Sequence, residues 1–387
     1  MTADVIVVGL GVMGAATAYS LASRGVRVLG LDRYSPPHAH GSSHGKTRII
    51  REAYFEHPAY VSLVQHAYAR WAEVEHESAS RLLTQTGGLM IGPPGGAVAG
   101  GAELSARTYG LAYERLSPRD VTRRFPALRL AEDMVGIFEP RAGVLFAEQC
   151  VAALLSLARR NGAQVVLNQR VLSWSSTADG VLVTTADSEY SADHLVLAVG
   201  PWVSSLISDL NVRFEVERTR MFWLRDAAHK EFFHPDRLPI FLIEYAAGRL
   251  LYGFPNLGDG IKVAIHHEGD AAGPDDDSAD GRAASQLTHL RELLARHLPS
   301  ANGELLDAAT CYYTNTPDLH FVLDFHPAAP RVLIVSPCSG HGFKFAPAIG
   351  DIAADLVVNG RSAFDLELFS LKRFGGKAGG VRPTSVN

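Results

Sequence analysis

"DVIVVGLGVMGAATAYSLASRGVRVLGLDR", residues 4–33, decides the fold. Val5 to Val8 form an uninterrupted apolar run, the pattern of a strand covered on both faces. Gly9-x-Gly11-x-x-Gly14 follows at once, then a helical pattern from Met13 to Ser23, a stop at Gly25, and a second strand, Val26 to Leu31, closing on Asp32. The glycines permit a tight turn, a close backbone approach and tight helix–strand packing. The free N–H groups of the helix start then face a pyrophosphate, and an acid ending the second strand can hydrogen-bond ribose hydroxyls. Within this strand–turn–helix–strand frame the triplet predicts dinucleotide binding, with Gly9, Gly11, Gly14, Asp32 and Arg33 at the cofactor.

The glycine motif does not separate FAD from NAD. Residues 161–203, "NGAQVVLNQRVLSWSSTADGVLVTTADSEYSADHLVLAVGPWV", read as strand, hairpin and strand, with Asp179-Gly180 as a turn. The strand from Leu195 to Val199 ends at Gly200-Pro201-Trp202. By fold analogy, a returning strand that stops beside the first nucleotide strand favours FAD, and places Val171 and Gly200 at the cofactor.

The chain has 387 residues, 47% hydrophobic and 20% charged, which predicts a soluble globular protein with two domains or one domain and an insertion. Lys plus Arg is 36 and Asp plus Glu 41, a net charge of −5, and no basic run reverses it, so nucleic acid is not an expected partner. No stretch of 18 apolar residues exists, so no membrane span is expected. Cys150, Cys311 and Cys338 are odd in number and far apart, which argues against a disulfide framework and for a reducing, cytoplasmic setting.

The alternation of patterns predicts an α/β (α+β overall) fold: a Rossmann-like FAD-binding domain (1–80, 146–216 and 318–387) interrupted by a mostly antiparallel β substrate domain (81–145 and 217–317). A long helix is expected from Pro58 to about His76. The stretch 81–145 is poor in helical pattern, and within 217–316 one helix stands out, "RAASQLTHLRELLARHLP". Asp275 to Asp277 form an exposed loop before it, and the tail "GGKAGGVRPTSVN" reads as disordered.

Unusual polar residues gather in five stretches. "PPHAHGSSHGKTRIIREAY" (36–54) holds His38, His40, His44, Arg48 and Arg51; on a helical turn Arg48 and Arg51 would share a face. No carboxylate or cysteine stands among the histidines, so metal binding is not expected. In "YGFPNLGDGIKVAIHH" (252–267), period two puts Lys262 and His266 on one strand face, toward solvent or toward a cavity. "SGHGFKFAPAIGDIAADL" (339–356) is a permissive Gly340/Gly342 loop opening into a helix near Phe345. Lys344 at such a helix start is unfavourable unless an anion compensates, which makes a bound carboxylate attractive. In "DAATCYYTNTPDLHF" (307–321), Cys311 stands in polar company unusual for a buried thiol. "GVLFAEQC" (143–150) reads as structural.

At these stretches the chain resembles the monomeric sarcosine oxidase and N-methyl-L-tryptophan oxidase family, FAD-dependent amine oxidoreductases of the D-amino-acid-oxidase-like fold. The motifs are "GxGxxGxA", "PPHxxGSxHGxTRIIRxAY", "YGFP" followed by Lys and His, "CxYTxTPD" and "SGHGFKF", and the match runs nearly end to end. The resemblance implies that Cys311 carries a thioether to FAD and that His44 and Arg48 lie against the flavin, with Ser42, Gly340, Gly342, Phe343 and Lys344 also lining the cofactor. It implies that Arg51 and Lys344 clamp a substrate carboxylate, that Tyr252 and His266 line the substrate pocket, and that Lys262 sits over the ring where dioxygen is reduced. The implied reaction is oxidation of a secondary-amine amino acid to an imine, with O2 reduced to hydrogen peroxide, by a monomer. Alternatives are a dehydrogenase of the same fold that passes electrons to a quinone or carrier protein, and a non-catalytic flavin-binding subunit. Ser43, Cys338 and Leu242 are departures or variable positions in that family's pattern.

Overall fold

A computed structural model of the chain describes residues 2–276 and 282–375. Asp277 and the tail beyond residue 375 therefore lie outside the described residues.

The opening stretch folds as strand Thr2–Val8, helix Val12–Ala22 and strand Val28–Leu31. Val5 and Val7 point into one apolar cluster with the helices, and Ile6 and Val8 into another on the opposite face, which is why the run shows no alternation. Thr2–Val8 pairs in parallel with Val28–Leu31 on one side and with Glu189–Leu197 on the other. Ala329–Ser336 continues the parallel set beyond Glu189–Leu197, and Gln164–Val166 continues it beyond Val28–Leu31. The hairpin Val171–Ser176/Val181–Thr185 adds to the near half of Glu189–Leu197. Helices Val12–Ala22, Tyr60–Ser78, Ala147–Arg160 and Ala346–Asn359 share the first cluster. Ile6 is wholly buried, and truncating it to Ala would cost roughly 2–5 kcal/mol.

A second, mostly antiparallel sheet of nine strands holds Glu215–Leu224, Ile240–Ala246, Arg249–Gly253, Ile261–His266 and Leu305–Asn315, together with Gly88–Gly92 and Val135–Glu139. Its spine is the long pairing of Glu215–Leu224 with Leu305–Asn315, which sets Cys311 opposite Thr219. A three-stranded sheet, Thr47–Ile50, Gly143–Phe146 and Leu83–Gln85, lies where the segments of the two larger sheets meet in sequence.

Two expectations need correction. The stretch 81–145 contains a 13-residue helix, Ala97–Tyr109, and a shorter one, Pro118–Arg124. "AVAGGAELSARTY" carries two glycines and a weak apolar stripe, so its intrinsic helical tendency is low and tertiary contacts decide. Glu244 Oε2 accepts Val98 N–H at 3.1 Å at the helix start, and Ser105 Oγ donates to Tyr54 O at 2.5 Å. Arg48 and Arg51 do not share a helical turn: Arg48 lies in a strand opposite Leu145, and Arg51 follows the strand's end.

Candidate active site

One elongated cavity runs between the two large sheets, from the glycine turn to the far wall of the antiparallel sheet. At its near end Gly9 has φ 85°, and a Cβ there would lie 2.5 Å from Ala198 O, so the turn admits no side chain. Gly14 packs directly under Gly9 rather than facing the cavity. Ser43, the departure noted above, has its Oγ 3.0 Å from Val12 N, accepting that N–H at the helix start. Asp32 is buried and accepts Leu10 N–H at 2.6 Å and Tyr34 N–H at 2.7 Å, which fixes its carboxylate at the cavity edge. Arg33, Val171 and Gly200 line the same end. Arg33 also bonds Asp275 at 2.6 Å, and Trp202 Nε1 donates to the same carboxylate at 2.9 Å.

The middle of the cavity is lined by Ser42, Arg48, Lys262, Cys311 and Phe343. Strand alternation resolves the odd company of Cys311. The residue is 4% exposed and packs with Met221, Trp223 and Ala264, while Thr310 and Thr314, at odd offsets along the strand, belong to its other face. Arg48 Nη2 stands 3.4 Å from the sulfur and donates to Ser42 O at 2.8 Å, presenting a positive charge to the thiol. Lys262 is not a solvent-facing lysine. It is buried, and its ammonium donates to Gly45 O and Thr47 O, both at 2.7 Å, and to Thr47 Oγ1 at 3.2 Å. Burial, with Arg48 nearby, pushes its pKa well below the usual lysine range.

His44, like Gly14, is an expected cofactor residue that the structure keeps out of the cavity lining. It is buried, and its Nε2 has no hydrogen-bond partner among the described residues. Burial and then Arg48 lower its pKa to about 4, so it is neutral. Of the other two histidines in its stretch, His40 stacks on Tyr34 and His38 Nε2 lies 3.7 Å from Asp32.

The far end holds Arg51, Phe55, Glu56, Leu242, Tyr252, His266, Tyr313, Gly340, Gly342 and Lys344. Gly340 has φ 78°, and a Cβ there would sit 2.7 Å from His266 Cε1, so glycine lets the loop close against that wall. His266 Nδ1 lies 3.0 Å from Tyr313 Oη, and burial, followed by the adjacent His267, holds the imidazole neutral. Lys344 Nζ donates to His341 O at 2.7 Å and to Tyr54 Oη at 3.3 Å, and burial and then Arg51 lower its pKa to about 7.

Arg51 is not an open half of a clamp. Its Nη2 is bidentate to Glu56, at 2.8 and 2.6 Å, and its guanidinium stacks on Tyr54 and Phe55, each at 4.2 Å. Burial would raise the Glu56 carboxyl, but Arg51 and its cationic neighbours hold it below the usual range. The compensating anion that Lys344 calls for is thus already present as Glu56.

Several contributors were not singled out from the sequence. Tyr313 was within reach, two residues from Cys311 on the same strand face. Glu56, Tyr54 and His341 carry no period or spacing signal. Glu148, in the stretch read as structural, accepts Gly45 N–H at 2.7 Å and Lys46 N–H at 3.1 Å and so fixes the turn that holds Lys262.

Residues 4–356 match the model of the DAO family, described as FAD dependent oxidoreductase. The monomeric sarcosine oxidase of Streptomyces avermitilis is 41% identical over 96% of this chain and 98% of its own length. The N-methyl-L-tryptophan oxidase of Salmonella dublin is 34% identical over 97% of this chain and 100% of its own. Among solved structures, NikD, an amino acid oxidase of nikkomycin biosynthesis, superposes with a TM-score of 0.81 at 27% identity, covering 95% of this chain and 97% of its own. The residues present also fit the cofactor this implies: a side-chain-free glycine turn, a fixed acid beside it, and a cavity continuous to a thiol flanked by a guanidinium. The chain belongs to the FAD dependent oxidoreductase family, in its sarcosine and N-methyl-L-tryptophan oxidase branch.

Proposed function

We propose that this protein is an FAD-dependent amine oxidase that converts a secondary-amine amino acid to an imine and O2 to hydrogen peroxide. One observation carries the reading. A single cavity is lined by the nucleotide-binding turn, a thiol flanked by a guanidinium, a buried ammonium and the cations Arg51 and Lys344. Bound FAD supplies the two-electron oxidant, and the protein supplies position and charge.

Cys311 would be the residue that holds the flavin covalently, and Arg48 would keep a positive charge beside its sulfur. Lys344 and Arg51 take the substrate carboxylate, Arg51 exchanging Glu56 for it. Tyr252, Tyr313 and neutral His266 enclose the amine end and offer no charge to pair with an ammonium. Burial therefore favours the amine that has given its proton to water, the form able to lose two electrons. Lys262, fixed by three oxygens, offers a positive charge where O2 gains two electrons and two protons to become H2O2. The released imine hydrolyses in water to a carbonyl compound and an amine.

The residue segments 1–80, 146–216 and 318–387 serve as the FAD-binding domain, and 81–145 and 217–317 as the substrate domain. The protein acts as a monomer in the cytoplasm, and among the described residues no helix is long and apolar enough to cross a membrane. The decisive test is anaerobic bleaching of the yellow protein by sarcosine, N-methyl aromatic amino acids, proline, pipecolate and glycated amino acids, followed by peroxide yield in air. Bleaching with stoichiometric peroxide is expected. Bleaching without peroxide would mark a dehydrogenase, and no bleaching by any amine would remove the enzyme assignment.

A further inference from the structure

The two cations at the far end of the cavity share a neighbour whose task the reaction scheme above leaves open. Tyr54 is wholly buried, stacks its ring on the Arg51 guanidinium at 4.2 Å, and presents its hydroxyl to Lys344 Nζ at 3.3 Å. The same hydroxyl lies 2.7 Å from His341 Nδ1. His341 is itself buried, and its Nε2 lies 3.1 Å from Leu319 O. A carbonyl oxygen can only accept, so Nε2 carries the proton of this neutral ring and Nδ1 is bare. The Tyr54 hydroxyl must then donate to Nδ1, which turns its oxygen lone pairs toward the lysine. His341 also fixes Lys344 from the other side, through its carbonyl at 2.7 Å.

We propose that Tyr54, oriented by His341, is the positioning residue of the carboxylate clamp: it holds Lys344 through its hydroxyl and Arg51 through its ring, so that one proton of the lysine ammonium remains aimed into the cavity. The inference rests on the carboxylate-binding role proposed above for Lys344 and Arg51. The backbone supports the same arrangement. Tyr54 O accepts from Ser105 Oγ in the helix Ala97–Tyr109, and Lys344 O accepts from Trp71 Nε1 in the helix Tyr60–Ser78. The charged and titratable groups around the lysine are Arg51, Glu56 and Tyr54 from the segment after Ile50, Arg48 from the strand before it, His341 from its own loop, and His266 from the facing strand. Of these, Glu56 favours the ammonium and the two arginines oppose it. Removing the Tyr54 acceptor withdraws further support from the charged form.

The test is titration of the flavin-loaded protein with propionate and, separately, propionamide, from about pH 5 to 9, read by the change in flavin absorbance. Tyr54→Phe keeps the ring and removes the hydroxyl alone. Its propionate Kd should rise about tenfold, the size expected for one hydrogen bond to a charged group. Its propionamide Kd should change less than twofold, and the pH at which propionate affinity halves should move down by about one unit. Equal weakening of both ligands would mean general disruption and overturn the proposal. An unchanged propionate Kd and pH midpoint in a variant with native flavin spectrum would also overturn it while leaving the clamp standing. A wild-type protein that does not prefer propionate to propionamide would remove the clamp itself, and the proposal with it.

Discussion

Glu56 makes a quantitative demand on ligand binding. Its carboxylate occupies the guanidinium that a substrate carboxylate needs, with both oxygens within 2.8 Å of Arg51 Nη2. Two unit charges about 4 Å apart at an effective dielectric near 20 interact by about 4 kcal/mol. Displacing Glu56 does not forfeit that much, because the incoming anion restores the pair and the released carboxylate regains water. The residual cost is near that of a hydrogen bond to a charged group, about 1.5–3 kcal/mol, or roughly a 10- to 150-fold weakening of apparent affinity. Glu56→Gln removes the competing charge at almost constant shape, so propionate should bind the flavin-loaded variant at least about tenfold more tightly.

Stability should move the other way. Arg51 is 2% exposed and would lose its counter-charge, and breaking such a buried pair from one side costs about 3–5 kcal/mol. Glu139, which also acts on Arg51, softens that loss. Propionate at a hundred times its Kd should restore about 2.7 kcal/mol. The assays are the absorbance titration and the thermal midpoint with and without ligand. If Glu56→Gln binds propionate no better than the wild type, Glu56 props Arg51 in place rather than competing for it, and the exchange argument is refuted.

Three further outcomes are expected. Cys311→Ser should leave all flavin in the supernatant after acid precipitation, whereas the wild-type pellet stays yellow; a colourless wild-type pellet would show there is no tether. Lys262→Met should slow reoxidation by O2 by about 10²-fold or more while anaerobic reduction changes far less, since the ammonium faces charge that develops only on oxygen; stopped-flow measurement of both half-reactions decides it. Glu139 is buried, and burial, partly offset by the Glu52 and Ala53 N–H groups it accepts, raises its pKa to about 7. A carboxyl raised in the folded state binds more protons there than in the unfolded chain between about pH 4.5 and 7, so stability falls as pH rises through that window, by up to about 3 kcal/mol. Glu139→Gln should flatten this slope in denaturation curves taken at pH 5 and pH 7.5, and an unchanged slope would assign it to other groups.

What could be read from the sequence follows from how locally each feature is determined. The nucleotide turn is written in consecutive residues, because glycine spacing and a doubly buried strand are local constraints, and it folds as expected from Thr2 to Leu31. Lys262 and His266 could be placed on a common strand face from period two alone, although whether that face met solvent or a cavity could not be settled without knowing what packs against it. The helix Ala97–Tyr109 was invisible for the opposite reason. Its stability comes from Glu244 and Tyr54, far away in sequence, and not from its own pattern. Glu56 was missed because nothing in "REAYFEHP" distinguishes a surface glutamate from one folded back five residues onto Arg51.

The turn at Gly45 to Thr47 ties the two halves of the chemistry together. The Gly45 and Lys46 N–H groups hang on Glu148, while Gly45 O, Thr47 O and Thr47 Oγ1 all accept from Lys262. Arg48, the next residue, anchors one nitrogen on Thr47 O and reaches the Cys311 sulfur with another. A lysine bound by three oxygens of one short turn cannot move independently of the arginine that extends from it. The ammonium proposed for oxygen reduction and the guanidinium proposed for flavin attachment are therefore set by one piece of backbone. That shared dependence lets two cations lie in one cavity: Lys262 meets the carbonyl oxygens of Gly45 and Thr47, Arg48 those of Thr47 and Ser42, and Glu148 holds the turn through the Gly45 and Lys46 N–H groups.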